Sequence, residues 1–247
     1  MIAPLLALVA YNLRVILHSR REFIITPLVI AIVSVTIIPY GLSKYVGEGE
    51  VAVVVSTGLI LGAILLPSMV AAFYSVMEIT LGSFEKYMLL PVSRYTIILA
   101  RIISITILNV MVTTIALSLA AALHGLKITT IIALTTYLSS ATLTLGITGI
   151  TLVLTGGVAN LERASLTISV LSILLADASP ILFPLNALPT WTQILLILNP
   201  VTSAVEVLRS TVLERWPDTT MILTLLIINF AWIIAGLKTL ITRLEKL

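Results

Sequence analysis

Few side chains in this 247-residue sequence are suited to chemistry. It has no cysteine, which excludes thiol catalysis and cysteine-type metal sites. The two histidines, His18 and His124, lie far apart, and the topology predicted from the charges puts them on opposite sides of a membrane. No glycine-rich phosphate loop ending in Gly-Lys-Ser/Thr is present. We therefore expect no catalytic site, no metal site and no cofactor in this chain.

Asp177 is the one ionisable side chain in the apolar run 164–183. Ion-driven carriers place ionisable groups near the middle of the bilayer, where they line the substrate path. Asp177 is therefore a candidate for a substrate path. It lies near the far end of its run, just before Ser179 and Pro180, so a hydrated carboxylate at the membrane boundary is the alternative.

The stretch SFEKYMLLPVSRYTI, residues 83–97, interrupts two apolar runs with charges and a proline. Its charged and apolar side chains together suit contact with a partner protein. Pro91 would end a helix and turn the chain back towards the membrane. A solvated loop is the alternative. The side chains expected to offer contacts are Phe84, Glu85, Lys86, Tyr87, Met88 and Leu89.

The composition decides which elements must position these residues. Hydrophobic residues make up 59% of the chain and charged residues 10%, with a mean hydropathy of +1.18. Soluble domains are about a quarter charged, so lipid is the expected solvent. The net charge of +3 is too small to indicate nucleic-acid binding. The composition predicts an all-α, polytopic membrane protein with one transmembrane domain over 1–247 and no soluble domain.

Six runs are long and apolar enough to cross a bilayer, which takes roughly 20 residues of helix. Gly156 and Gly157 mark the expected end of the fourth run. An even number of crossings puts both termini on the same side. The six predicted spans are 23–43, 51–77, 102–126, 128–161, 164–183 and 219–237.

The positive-inside rule places both termini in the cytoplasm. With that orientation ten of the fourteen lysines and arginines face the cytoplasm and four face outward. The outward four are Lys44, Lys127, Arg209 and Arg215. The segment 77–94, which contains the charged stretch, then lies in the cytoplasm, and the protein is expected in the cell membrane.

Residues 1–21 form a separate element. Apolar residues recur there at near-helical spacing, and basic residues gather towards the end. This pattern predicts an interfacial helix on the cytoplasmic leaflet, in contact with membrane lipids. A frayed apolar tail is the alternative.

The stretch 178–205 is uncharged but contains Pro180, Pro184, Pro189 and Pro200. Proline breaks the helical hydrogen-bond ladder, and unpaired backbone is tolerated at membrane depth only where protein or water covers it. We expect a broken, re-entrant segment over 184–205 that enters from outside and returns. A further full span is the alternative, but it moves the basic C-terminal residues outside.

Two stretches resemble the permeases of type-2 ABC transporters, the membrane subunits of ATP-binding-cassette exporters. Residues 77–103 resemble the family's cytoplasmic segment, with Ser83 where the family often has threonine. Residues 183–209 resemble its outer re-entrant segment. The matching cytoplasmic residues are Glu78, Gly82, Glu85, Pro91, Ser93 and Arg94. The matching outer residues are Leu188, Pro189, Trp191, Asn199, Pro200, Glu206 and Arg209.

This resemblance implies a homodimer, or a heterodimer with a similar permease, on two separate ATPase subunits that carry ATP and Mg²⁺. It also implies that Gly82 to Leu90 docks in an ATPase cleft as a coupling helix, with Gly82 allowing close backbone approach. Arg94 would instead hold a lipid phosphate or a carboxylate of its own chain. The expected function is export of a substrate whose class the sequence leaves open among amphiphiles, drugs, lipids and glycans. The alternative is a membrane scaffold or assembly factor that transports nothing.

Overall fold

The computed structural model describes residues 2–19, 22–46, 50–158 and 160–245. It is 83% helical, and this described part contains no strand, which confirms the predicted all-α membrane fold. The helices are α1 (Ile2–Ser19), α2 (Glu22–Val46), α3 (Glu50–Gly62), α4 (Leu65–Thr80), α5 (Glu85–Met88), α6 (Arg94–His124), α7 (Thr130–Gly156), α8 (Leu161–Asp177), α9 (Thr190–Ile197), α10 (Pro200–Val212) and α11 (Thr219–Leu244), with a 3₁₀ turn at Leu185–Ala187.

Within the described residues, five helical stretches are long and apolar enough to cross a membrane, or six if the bent pair α9 and α10 is counted as one span. The second stretch joins α3 and α4, and α7 ends at Gly156 as its glycines predicted. The third predicted span starts too late, because α6 begins at Arg94. The five stretches are Ile24–Gly41, Val53–Thr80, Arg94–His124, Thr130–Gly156 and Thr219–Leu244.

The stretch predicted as the fifth span, 164–183, is shorter as a helix. α8 begins at Leu161 and ends at Asp177, and its 17 residues rise about 25 Å, somewhat less than the hydrocarbon thickness of a bilayer. The chain then breaks at the prolines. α9 and α10 meet at an angle of 106°, which gives the broken geometry predicted for 184–205.

The centre of the bundle is α7, which packs against α11 along one face. The two helices approach closely because glycines face each other: a Cβ on Gly236 would lie 2.6 Å from the carbonyl oxygen of Gly149. Such small residues allow helices to pack tightly where lipid offers no hydrophobic driving force. α7 also buries many hydroxyls, and Asn109 of α6 donates to Ser68 and to Thr144 across the core at 2.9 and 3.1 Å.

The first helix, α1, is too short to cross a membrane. It lies along α6, where Leu13 and Ile16 pack against Ile105 and Leu108. Its only fully buried side chain among the described residues is Val9. The rest of the helix is half-buried or exposed, so α1 forms an outer layer at one end of the bundle.

Candidate functional site

The segment 77–94 folds as a tight turn between two long helices. α4 ends at Thr80, and the backbone then doubles back, so the amide of Phe84 donates to the carbonyl of Glu78 at 3.0 Å. Gly82 has a φ of +72°, a left-handed conformation that favours glycine. The sequence suggested that Gly82 allows close backbone approach to a partner. The structure gives another reason for this glycine, since its left-handed conformation allows the chain to turn after α4.

Arg101 of α6 holds this turn against the bundle. Its guanidinium forms an ion pair with Glu78, and the two side chains are 16% and 12% exposed. The same guanidinium lies over the rings of Phe84 and Tyr87, 5.4 and 4.8 Å from their centroids. Ion pairing and cation–π contacts at a largely buried site are stronger than at the surface. The segment is therefore anchored to both α4 and α6.

Phe84 is only 1% exposed and packs with residues of α4, α6, α7 and α11. Its apolar surface, predicted to face a partner, is used inside this chain instead. The apolar surface that remains outside comes from leucines: Leu89 is 87% exposed and Leu81 63%. Leu90, Pro91 and Lys86 are also exposed, whereas the side chains of Glu85 and Met88 lie outside the described part of the structure.

The chain returns to the bundle at α6. Ser93 caps this helix by accepting from the amide of Thr96 at 3.2 Å. The Arg94 guanidinium donates to the main-chain carbonyl of Leu244, at the end of α11, at 2.9 Å. In this structure its partner is thus a carbonyl, where the sequence suggested a lipid phosphate or a carboxylate.

Arg243 ties three helix ends together beside this segment. It donates to the carbonyl of Gly156, at the end of α7, and to the hydroxyl of Thr80, at the end of α4, both at 2.7 Å. Carbonyls at a helix C-terminus lack intrahelical donors, so a guanidinium is a suitable partner for them. The base of segment 77–94 is therefore fixed to α4, α6, α7 and α11.

The outer motif is built around Arg209 of α10, which is 2% exposed. It pairs with Glu206 at 2.6 Å, and Glu206 in turn accepts from the amide of Leu185 at 3.0 Å. The guanidinium also donates to four main-chain carbonyls, one within α3 and three in the loop between α8 and α9. These belong to Val54 and Ile181 at 3.2 Å, Pro180 at 2.7 Å and Phe183 at 3.2 Å.

Asn199 links α8 to α10. Its side-chain oxygen accepts from the amide of Val201, and its nitrogen donates to the carbonyls of Leu175 and Ala178 at 3.1 and 2.5 Å. Pro200 follows at the first position of α10, where no amide donor is needed. One asparagine thus binds the C-terminal end of α8 and caps the start of α10, so the pair Asn-Pro fixes where α10 begins.

The remaining outer residues lie at the surface. Pro189 precedes the first residue of α9, and Trp191 in its first turn is 67% exposed. Asp177 is the last residue of α8 and is exposed. The structure brings Glu206, Arg209 and Asn199 together with residues 178–189, the proline loop between α8 and α9, but it leaves Asp177 on the outside of this cluster.

Sequence reasoning missed three residues of these sites. Arg101 and Arg243 entered it only as two of the ten cytoplasmic charges, because both lie outside the predicted spans 102–126 and 219–237. The structure places both within long helices, α6 and α11, where a charge needs a partner. Gly58 was also missed: a Cβ there would lie 2.7 Å from the Cα of Ile181, so α3 needs glycine where the proline loop packs on it. A single glycine in an apolar run gives no such signal.

The comparisons with known proteins agree with this architecture. A comparison with curated proteins found no match to the sequence. The sequence model of the family described as ABC-2 type transporter, however, matches residues 4–213, which includes both segments described above. The chain therefore belongs to the ABC-2 type transporter family and is a multi-pass membrane permease subunit.

Proposed function

We propose that this chain is the permease of an ABC exporter, driven by ATP that separate ATPase subunits hydrolyse. The observation that carries the proposal is the construction of segment 77–94. Its inner side is fixed to four helices through Arg101, Arg94 and Arg243, while its outer side exposes Leu81 and Leu89. A segment rigidly joined to the bundle and apolar on its free side suits the transfer of movement from a docked subunit.

In this proposal both termini lie in the cytoplasm of a cell-membrane protein, and α1 lies on the inner leaflet. α8 crosses the bilayer, and α9 and α10 enter from outside and return. Arg209 of α10 donates to the carbonyl of Pro180, in the loop between α8 and α9. Two copies of the chain enclose the path. α8 has a row of exposed apolar residues, among them Leu166, Val170 and Ile173, which fits contact with lipid or with the second copy.

The substrate would pass between the two copies and leave near the outer segment. Asp177 would lie at that exit, at the exposed end of α8. Glu85 and Met88 would add a charge and an apolar side chain to the docking surface around Leu89. These roles rest on the family and on position along the chain.

The test is to purify the tagged chain from its own membranes in a mild detergent. We expect an ABC ATPase subunit to accompany it and the complex to hydrolyse ATP. Leu89→Arg should remove the ATPase from the preparation, because a charge on the exposed leucine opposes burial against a partner. Trp216→Arg is the matched control, since this residue is 93% exposed between α10 and α11 and should have no effect.

Equal recovery of the ATPase with both variants would contradict docking at Leu89. Recovery of the parent chain without any ATPase, under conditions that keep its copies together, would favour the membrane scaffold instead.

A further inference from the structure

A cavity of about 90 Å³ lies behind segment 77–94. One wall is α1, with Asn12 and Ile16, and the others come from α4, α6, α7 and α11. Tyr87 of segment 77–94 also lines it. The cavity belongs to one copy of the chain, so it is distinct from a path between two copies.

Thr148 of α7 lines this cavity with an unused hydroxyl. The residue is 3% exposed, and its Oγ1 has no hydrogen-bond partner within the described residues. The other buried threonines of α7, at 136, 142, 144, 151 and 155, donate their hydroxyls to carbonyls of the same helix at 2.7–2.8 Å. A buried hydroxyl without a partner is costly, and a group inside the cavity would satisfy it.

The charges of the cavity are already paired. Glu78 and Arg101 both line it and form an ion pair with each other. A charged ligand would have to compete with that pair at a site where both side chains are largely buried. A neutral group that donates and accepts hydrogen bonds can instead reach Thr148 and Asn12 without breaking it.

The volume of the cavity and the residues that line it limit the size and chemical class of ligand that it can hold. A cavity needs roughly 10–15 Å³ for each water-sized group, so one of about 90 Å³ has room for roughly six to nine, enough for the six heavy atoms of glycerol. Most of the remaining wall is apolar, with Ala71, Ile105 and Leu152 among its residues, although the hydroxyl-bearing Tyr74, Ser75 and Ser104 also line it. We propose that this cavity binds a neutral, glycerol-sized polyol, either free or as the headgroup of a membrane lipid.

The test uses the full chain in phosphatidylcholine nanodiscs, which contain no competing polyol headgroup. The probe is 1-monooleoylglycerol with a photoreactive diazirine near its headgroup, and labelled peptides are mapped by mass spectrometry. We expect labelling of residues of α4 and α6 that face the cavity, and competition by unlabelled 1-monooleoylglycerol. Competition by free glycerol as well would identify the polyol itself as the ligand, and its failure would identify the lipid.

Two variants separate binding from folding. Thr148→Val should weaken competed labelling about fivefold, the effect of one hydrogen bond, while it leaves the melting temperature unchanged or raises it, because it removes an unsatisfied hydroxyl. Ala71→Leu should block labelling by filling the cavity. Thr135→Val is the matched control on α7, since its hydroxyl donates to the carbonyl of Ile131 at 2.8 Å and does not line the cavity.

Unchanged labelling in both variants would overturn the proposal, as would labelling that unlabelled 1-monooleoylglycerol does not reduce. Equal competition by anionic oleoyl phosphate would overturn the requirement for a neutral headgroup. None of these outcomes depends on an ATPase. Polyol binding can therefore be contradicted while ATPase-driven export stands, and export can be contradicted while polyol binding stands.

Discussion

Arg101 concentrates three kinds of contact in one side chain. It pairs with Glu78, it donates to the hydroxyl of Ser75 at 3.5 Å, and its guanidinium lies over Phe84 and Tyr87. Lysine could keep the charge, but its ammonium lacks the planar surface that stacks on rings. The identity of this residue therefore matters as much as its charge.

Replacing Arg101 should destabilise the chain because Glu78 would remain largely buried without its counter-ion. We expect Arg101→Gln to lower the free energy of unfolding by about 3 kcal/mol, the range found when one partner of a buried pair is removed. The double variant Glu78→Gln with Arg101→Gln should recover much of this loss. Denaturant unfolding in detergent micelles measures both.

Arg163→Gln is the control, since Arg163 is exposed and should change little. If the single and double variants lose the same stability, the ion pair contributes nothing and Arg101 acts through its ring contacts alone.

At the scale of helices, α7 and α11 depend on glycine. A Cβ on Gly236 would lie 2.6 Å from the carbonyl oxygen and 2.8 Å from the Cα of Gly149, so the two backbones would have to separate. Gly41 in α2 has no atom within 4 Å of the place where its Cβ would lie. The same substitution should thus have opposite effects at two helical glycines.

Gly236→Ala should cost about 1–3 kcal/mol, the usual effect of overpacking. Gly41→Ala should be neutral or stabilise the helix, because alanine has the higher helix propensity. Thermal unfolding of both variants in the same detergent micelles measures both effects. A Gly236→Ala protein as stable as the parent would show that α11 shifts freely on α7.

The bend between α9 and α10 makes a prediction about topology. If the pair enters and returns, Ala187 before α9 and Trp216 after α10 lie on the same side of the membrane. Cysteines at both positions should then react with an impermeant thiol reagent in intact cells, as both residues are exposed. The chain has no natural cysteine, so each label reports one site.

Labelling at only one of the two positions would make α9 and α10 a single crossing. A cysteine at Glu245, beyond α11, provides the control for the opposite side: it should react only after the cells are opened.

These elements differ in how far the sequence predicts them. Apolar runs predicted α2, α6, α7 and α11 because a helix that crosses a bilayer needs a long apolar run whether it faces lipid or the bundle. The prolines predicted the break after α8, but not that α8 ends at Asp177, because the end is set by Asn199, which donates to carbonyls of residues far from it in sequence. Long-range partners leave no local pattern.

The same limit applies to the sites. Segment 77–94 was recognised from Gly82, Glu85 and Pro91, yet the sequence assigned Phe84 to the partner surface, because an apolar side chain in a charged stretch gives no indication of which way it points. Its burial depends on Ile97, Leu152 and Leu240, which lie on three other helices. The exposed leucines emerge only once these helices are assembled.

At the scale of the whole molecule, one end of the bundle differs from the other. Arg94, Arg101 and Arg243 join segment 77–94 to the ends of α4, α7 and α11. At the other end, Arg209 joins the proline loop to α3. A displacement of segment 77–94 therefore acts on most of the bundle, whereas the outer cluster holds a loop in place.

The central claim is that segment 77–94 docks on an ABC ATPase. The most direct measurement places a photoreactive amino acid at Leu89 in the full chain, illuminates membranes from the native host, and identifies cross-linked partners by mass spectrometry. We expect a cross-link to an ABC ATPase from Leu89 and none from Leu138, a leucine of α7 that is 64% exposed. A Leu89 probe that cross-links only to lipid, in membranes where the ATPase is present, would contradict it.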